Sequence, residues 1–369
     1  MKIAYDARAL NVAFLRGIGR CMKEIITRCN KKYEFERCHL FSNRPDMPMQ
    51  IEKAGNIKTN LLDMPGYRFK IWEQFVLPWK AYQSNSQILH CPANNVPWWQ
   101  PLKTVVTLHD AMPWLGDEEA WPRGFYTDRL IPSAFRKADA VITISENSRQ
   151  DILSFWPDLE SRLTVIYNGV SDDFIFYKPA PLADFFNTCG LKKPYLLYMG
   201  GPIRRKRLYF ALQIFEQLEG KKLQLAVCGS KKHEVEKLFH DNCPTRHNDV
   251  ITLPFIPDEL MPNLYQNAAA VLYPTLYEGF GLPALEAQAI GTPVLFSRVA
   301  SLKELEGPGA FIMPVDDQSA WVDLLNRLVL QRKENPDPDL SSRSWTKKFS
   351  WDVCAQRHIE LYQSVISEY

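Results

Sequence analysis

Short apolar runs of four or five residues recur along the whole chain, separated by stretches whose apolar positions repeat at helical spacing. That alternation is the mark of β-α-β units and parallel sheets. In the first half it predicts strands over 3–6, 38–41, 88–90, 105–109, 140–144 and 163–166. In the second half it predicts them over 195–199, 224–228, 250–253, 270–273, 293–296 and 310–313. Each set would build one Rossmann-like sheet. Between them, 171–193 contains Pro179 and Pro181 and has no clear period, which reads as a linker. The expected architecture is α/β, with Rossmann-like domains over 1–175 and 190–345 facing across an interdomain cleft. A last helix over 346–369 would pack back towards the first domain.

Composition changes this picture little. At 369 residues the chain is too long for one comfortable core, in keeping with two domains. A net charge of +2 lacks the concentrated basic face of a nucleic-acid binder. The eight cysteines stand singly, with no C-x-x-C pair, as in reduced buried thiols of a cytosolic protein. The chain runs straight into a strand pattern that meets Asp6, unlike a signal peptide. No apolar run approaches the ~18 residues of a spanning helix, so membrane contact is expected to be peripheral. The D-x-D match, Asp337-Pro338-Asp339, falls in a Pro-rich connection and reads as a surface loop, so no metal site is expected.

Parallel sheets bind ligands beyond the carboxyl ends of their strands, so the residues just after strands carry the candidate chemistry. Foremost is 277–297, where Glu278 and Glu286 flank Gly279-Phe280-Gly281-Leu282-Pro283. Leu282-Pro283 predicts a helix start, Gly291 its end, and Glu286 a place in the first turn. Carboxylates and free N–H groups around one helix start suit a donor carrying hydroxyls and a diphosphate. Gly200-Gly201 followed by Arg204, Arg205, Lys206 and Arg207 precedes a helix predicted over 208–218. Consecutive cations at a helix start oppose its dipole unless an anion sits there. Gly17 and Gly19, placed before a helix after the first strand, could present amides to the same anion, although a plain tight turn serves as well.

His109-Asp110 follows an apolar run, where an imidazole can bind a sugar hydroxyl or polarise a reacting group, and where a structural histidine is also common. Trp98, Trp99, Trp114 and Trp121 flank that pair and suit either core packing or stacking on sugar rings. Finally, 66–82 mixes aromatics with Lys70 and Lys80, the composition of an interfacial helix or of a half-buried one with snorkelling cations.

Taken in order, these motifs resemble the retaining glycosyltransferases of family 4, which have the GT-B fold. They are Asp6-Ala7-Arg8, then Gly17-Ile18-Gly19-Arg20, W-E-Q-x-x-L-P from Trp72 to Pro78, and His109-Asp110. After them come I-T-I-S-E-N-S-R over 142–149, V-I-Y-N-G-V over 165–170, G-G-x-x-x-R-K, and E-G-F-G-L-P-x-L-E followed by G-T-P-V. The resemblance implies that Glu278 contacts the donor sugar near its reacting face and that Glu286 holds the ribose. Arg205 and Lys206 would neutralise the diphosphate, with Gly17 and Gly19 near the same phosphates. His109 would lie near the sugar, with Asp110, Trp98, Trp99 and Trp114 on the acceptor side. Transfer would retain configuration without a metal or other cofactor.

The pattern departs from the family's in three places. Gly201 stands where many relatives have Arg, Arg207 where Asn or Gly is common, and Ile290 where a small residue is usual. The G-I-G-R and W-E-Q combination leans towards bacterial O-antigen-type mannosyltransferases using GDP-mannose, with UDP- and dTDP-sugars as alternatives. The acceptor would be lipid-linked, the protein cytoplasmic or peripheral at the inner face of the membrane, and 66–82 its docking segment. A non-catalytic saccharide-binding subunit is the other class of reading.

Overall fold

The computed structural model describes residues 1–15, 17–33, 35–52, 54–64, 68–116, 124–220, 222–335 and 337–367. The chain divides into two compact units. The first comprises Met1–Gly169 and Trp351–Tyr369, and the second Val170–Ser350.

The first unit holds a parallel seven-stranded sheet. Its strands are β1 (Lys2–Asp6), β2 (Arg37–Ser42), β3 (Ile57–Leu61), β4 (Ile88–Cys91), β5 (Lys103–Thr107), β6 (Ala140–Thr143) and β7 (Leu163–Val165). They lie in the order β3-β2-β1-β4-β5-β6-β7. The second unit repeats the plan with β8 (Tyr195–Met199), β9 (Gln224–Cys228), β10 (Val250–Thr252), β11 (Ala270–Tyr273), β12 (Val294–Ser297) and β13 (Ala310–Met313). Their order is β10-β9-β8-β11-β12-β13, all parallel. In both sheets the order reverses beside the first strand of the unit, the switch point at which loops diverge and ligands bind.

Twelve of these strands overlap the apolar runs that predict them. The exception is β3, I-K-T-N-L, which pairs only with β2 at the sheet edge and keeps Lys58 and Thr59 exposed. An edge strand needs little apolar content, so the pattern gave no signal. The 171–193 stretch is not a free linker. It carries short helices Asp172–Ile175 and Asp184–Thr188 and belongs to the second unit. Asn263 fastens it, accepting from Ala183 N–H at 2.9 Å and donating to Pro181 O at 2.9 Å and Tyr177 Oη at 2.8 Å. Asp339 of the D-x-D match caps the helix Leu340–Thr346 through the N–H groups of Ser341 and Ser342.

The helix Trp351–Ser367 packs against the helix Gly17–Tyr33, with Arg28 Nη1 bonded to Asp352 at 2.9 Å. Beneath it, Tyr362 Oη meets His90 Nδ1 at 2.7 Å and Tyr5 Oη at 3.2 Å, while His90 Nε2 meets Thr107 Oγ1 at 2.8 Å. His358 donates from Nδ1 to Cys354 O at 2.8 Å. Burial lowers His358 to about 4, against a weak upward pull from that carbonyl. His90 is lowered as well, first by burial and then by His358.

A buried histidine with a depressed value favours the unfolded chain once pH falls below the free value of about 6.5. Its contribution is therefore intact above that pH and lost progressively down to about 4, about 3 kcal/mol for His358 alone. Urea titrations at pH 7.5 and 5.0 should show the midpoint falling on acidification, and His358→Leu should flatten that dependence.

Candidate functional site

Strands β8 and β11 are hydrogen-bonded neighbours, so the loops that follow them leave the same sheet edge side by side. After β8 the chain passes Gly200-Gly201 and a 3-10 turn, Arg204–Lys206, before the helix Leu208–Gln217. After β11 it runs through Thr275 and Glu278 to the helix Leu282–Ile290. The backbones interlock, with Arg205 O accepting Leu276 N–H at 2.9 Å.

Their side chains converge on Glu278. Its Oε1 receives Lys206 Nζ at 2.6 Å, Arg205 Nη1 at 2.9 Å and Thr275 Oγ1 at 2.8 Å. Lys206 Nζ also reaches Tyr273 Oη at 3.0 Å, and Arg205 Nη1 donates to Tyr277 O. Burial pushes the Glu278 carboxyl up, but Lys206 and Arg205 outweigh it and hold it below the usual range. Burial and neighbouring Arg205 depress the Lys206 ammonium, despite the pull of Glu278. The cluster is thus one carboxylate with two cations, a net charge of +1 in a largely buried place.

The backbone here is fixed from below. Ser301 Oγ donates to Glu278 O at 2.7 Å and to Phe280 O at 2.9 Å. Gly281 begins the following helix at φ 111°, and a Cβ there would lie 2.4 Å from Leu302 Cδ2. Gly279 and Phe280 are buried between these anchors, and Leu282 opens the helix with Pro283. Thr275, Tyr273 and Ser301 were not among the residues picked out from the sequence. Thr275 had a readable signal, since it lies just past a strand end, whereas Ser301 is distant in sequence and had none.

Glu286 lies one residue beyond the first helical turn rather than inside it, because the helix begins at Leu282. Tyr265 donates to its Oε2 at 2.8 Å. Gly200 and Gly201 bend over Lys206, where Tyr198 Oη donates to Gly201 O at 3.3 Å and to Lys206 O at 3.0 Å. Arg207 turns away from its cationic neighbours. It adopts φ 55° and ψ 45°, and its buried guanidinium reaches Val315 O, Asp316 at 2.6 Å and the Phe210 ring at 3.9 Å. The left-handed backbone explains why Asn or Gly suits this position and removes Arg207 from the charged loop.

In the first unit, Gly17 and Gly19 lie within the first turn of their helix rather than before it. A Cβ on Gly19 would sit 2.5 Å from Ala9 O, so this glycine lets the helix approach the loop after β1, while Gly17 faces open space. His109 stands two residues past β5 and is 9% exposed. Its Nε2 donates to Pro92 O at 2.8 Å, which leaves Nδ1 as the acceptor nitrogen. Burial lowers its basicity, so the ring is neutral near pH 7. Asp110 turns Oδ1 to Met112 N–H at 3.0 Å.

Trp98 and Trp99 are 48% and 40% exposed, and Lys137 Nζ lies 3.3 Å from the Trp98 ring centroid. Trp114 does not belong with them. It is buried edge-on against Phe135 and Trp156 at 5.8 and 4.8 Å, a core residue rather than an acceptor-side one. Trp121 lies outside the described residues.

Comparison with known proteins matches residues 16–174 to a family described as Glycosyltransferase Family 4 and residues 183–344 to Glycosyl transferases group 1. The O-antigen chain mannosyltransferase B of Escherichia coli is 27% identical, over 98% of this chain and 100% of that protein. Among solved structures, sucrose-phosphate synthase from Thermosynechococcus elongatus superposes with a TM-score of 0.79 at 20% identity, covering 100% of both chains. Anabaena HepE in complex with UDP and glucose gives 0.75 at 17% identity, covering 99% of this chain and 100% of that one.

Replacing Gly281 tests how tightly the 278–281 loop is held. Gly281→Ala forces a Cβ into Leu302 at a positive φ and should cost about 2 kcal/mol or more. Thermal unfolding should show a midpoint several degrees lower; an unchanged midpoint would mean that the 300–305 turn yields freely.

Proposed function

Because the chain belongs to the family 4 glycosyltransferases and has the GT-B fold, we propose that it is a retaining mannosyltransferase using GDP-mannose. The acceptor is a saccharide carried on a lipid, and the product is part of a bacterial surface polysaccharide. The end-to-end match to an O-antigen mannosyltransferase supports the sugar and the setting. The observation that carries the reading is the shared oxygen of Glu278 between Lys206 and Arg205.

In this reading the net positive cluster draws the donor diphosphate, and Arg205 and Lys206 shift part of their bonding from Glu278 to phosphate oxygens. Amides of the Leu282–Ile290 helix start, with Gly200, Gly201, Gly279 and Phe280, add dipoles of the same sign. As the glycosidic bond breaks, negative charge grows on the leaving phosphate, and prepositioned cations stabilise it without a metal. The acceptor hydroxyl oxygen bonds the anomeric carbon on the face the phosphate is leaving and gives its proton to the departing phosphate oxygen, so one C–O bond replaces the other and configuration is retained. Glu278 contacts the sugar hydroxyls, Glu286 the ribose, and neutral His109, whose Nε2 proton is held by Pro92 O, accepts a hydrogen bond from the sugar through Nδ1. Gly17 and Gly19 supply amides close to the phosphates.

No helix of the described residues is long and apolar enough to cross a membrane. Contact with a lipid-linked acceptor falls instead to the 66–82 segment of a cytoplasmic protein held peripherally at the membrane. Gly66 and Tyr67 lie outside the described residues. Beyond them Ile71, Phe75, Trp79 and Tyr82 are 48%, 60%, 46% and 59% exposed, at spacings that share one helical face. Lys70 and Lys80 are exposed too, while Trp72, Leu77 and Ala81 are buried. An aromatic face with flanking cations suits an anionic bilayer surface.

A thermal-shift screen with GDP, UDP, dTDP and ADP and their common sugars, with magnesium and EDTA controls, reads the donor. Stabilisation by GDP and GDP-mannose that EDTA leaves unchanged is expected. A shift with another nucleotide reassigns the base, and no shift with any moves the protein to a non-catalytic subunit. Lys206→Ala should lower kcat about a hundredfold or more. Since the Lys206 ammonium is depressed, its proton is lost earlier than an ordinary lysine's as pH rises, so kcat/KM should fall on the alkaline side. Lys206→Arg should move that limb upward. In vesicle flotation, Lys70→Glu with Lys80→Glu should weaken binding to anionic bilayers and leave neutral ones unaffected.

A further inference from the structure

Tyr273 is the last residue of β11, and the chemistry proposed above gives it no part. Its side chain is 1% exposed, yet packing alone does not call for its hydroxyl. Its register partner on β12 is Phe296, which fills the neighbouring place, fully buried, without one. A hydroxyl in such surroundings costs stability unless it is bonded. The two tyrosines of β8 give theirs to backbone carbonyls, Tyr195 to Leu264 O at 2.6 Å and Tyr198 to Lys206 O at 3.0 Å. Tyr273 Oη instead meets the Lys206 ammonium at 3.0 Å, and Nζ lies 4.9 Å from the centroid of its ring.

An ammonium only donates, so Tyr273 Oη is the acceptor of that bond and keeps its own proton to give elsewhere. Burial raises the phenol most, and Glu278 raises it further by its charge and by a hydrogen bond. The depressed Lys206 ammonium therefore titrates below it, and Tyr273 stays neutral throughout that range.

The three N–H bonds of Lys206 Nζ can then be assigned. One goes to Glu278 Oε1 at 2.6 Å and one to Tyr273, which leaves the third without a partner among the described residues. With two of the three anchored, the head group cannot spin about Cε–Nζ, and the third keeps one direction. Glu278 cannot hold that direction alone. Its Oε1 is shared with Arg205 at 2.9 Å and Thr275 at 2.8 Å, and a diphosphate that draws both cations loosens its hold. Tyr273 carries no charge for the anion to compete with, so its grip on Lys206 outlasts that change.

We infer that Tyr273 is a positioning residue for the transfer proposed above, on which this inference rests: with Glu278, its hydroxyl aims the remaining N–H of Lys206 at the donor diphosphate. It touches no substrate and acts through Lys206.

Calorimetric titration of the full chain with GDP, and with UDP, dTDP and ADP in parallel, between about pH 7 and 10 tests this. Tyr273→Phe keeps the packing but removes an acceptor from the ammonium, which lowers Lys206 further. Its affinity for the nucleotide should be about tenfold weaker at pH 9, and the alkaline loss of binding should begin at lower pH than in wild type. Titration of the base is common to the proteins compared and cancels. Tyr265→Phe is the control, since it removes a similarly buried phenol, bonded to Glu286 at 2.8 Å, and should leave the alkaline onset where it is. Folded Tyr273→Phe with wild-type affinity and alkaline onset, whatever its unfolding temperature, has lost a merely structural hydroxyl and overturns the inference. Wild type that binds none of the four nucleotides sinks the donor reading itself, and the inference with it.

Discussion

Parallel pairing of β8 with β11 is the constraint on which the charged cluster of the second unit depends. Neighbouring strands about 4.8 Å apart with a common direction release their loops side by side at one edge. Lys206 and Glu278, 72 positions apart in sequence, therefore meet in one hydrogen bond. An antiparallel neighbour at β11 would send its loop to the opposite edge and leave Arg205 and Lys206 without a counter-charge. The interlock of Leu276 N–H with Arg205 O holds both loops in register, so the side chains need little adjustment to meet.

Among the described residues each unit carries a buried ionic cluster, Arg205, Lys206 and Glu278 in the second and Arg8, Asp6 and Glu73 in the first, and the two have opposite balance. In the second unit two cations share one carboxylate; in the first two carboxylates share one guanidinium. Leaving a buried charge unpaired costs several kcal/mol, so in each case the minority charge holds the set together. The surplus sets what each place tolerates nearby. A positive surplus favours a diphosphate, in keeping with the donor role proposed for the second unit's cluster.

Local rules are broken where these clusters are built. Arg207 takes a left-handed backbone that costs an L-residue about 1–2 kcal/mol. Its guanidinium is compensated by Val315, Asp316 and Phe210, although Asp316 is largely exposed and adds little. Gly281 holds φ 111° against Leu302, and two π turns aim Glu73 and Tyr126 at each other. Departures of this kind gather at functional sites because chemistry, rather than stability, selects the geometry.

The sequence by itself determined the α/β class, two sheets and nearly every strand, because a strand buried on both faces must be a continuous apolar run. It also marked Glu278, Arg205, Lys206 and His109, since residues following a strand inherit the sheet edge where ligands bind. It was silent on β3, whose edge position asks little of its side chains. Nor could it separate Trp114, buried against Phe135, from Trp98, half exposed a short way upstream. The tertiary structure alone joined Asp6-Ala7-Arg8 to Glu73 and Tyr126 and brought Thr275 and Ser301 to the Glu278 loop. The reason is physical: periodicity records which face of an element is buried, whereas the partners of a buried polar group depend on strand order, which no local stretch of chain encodes.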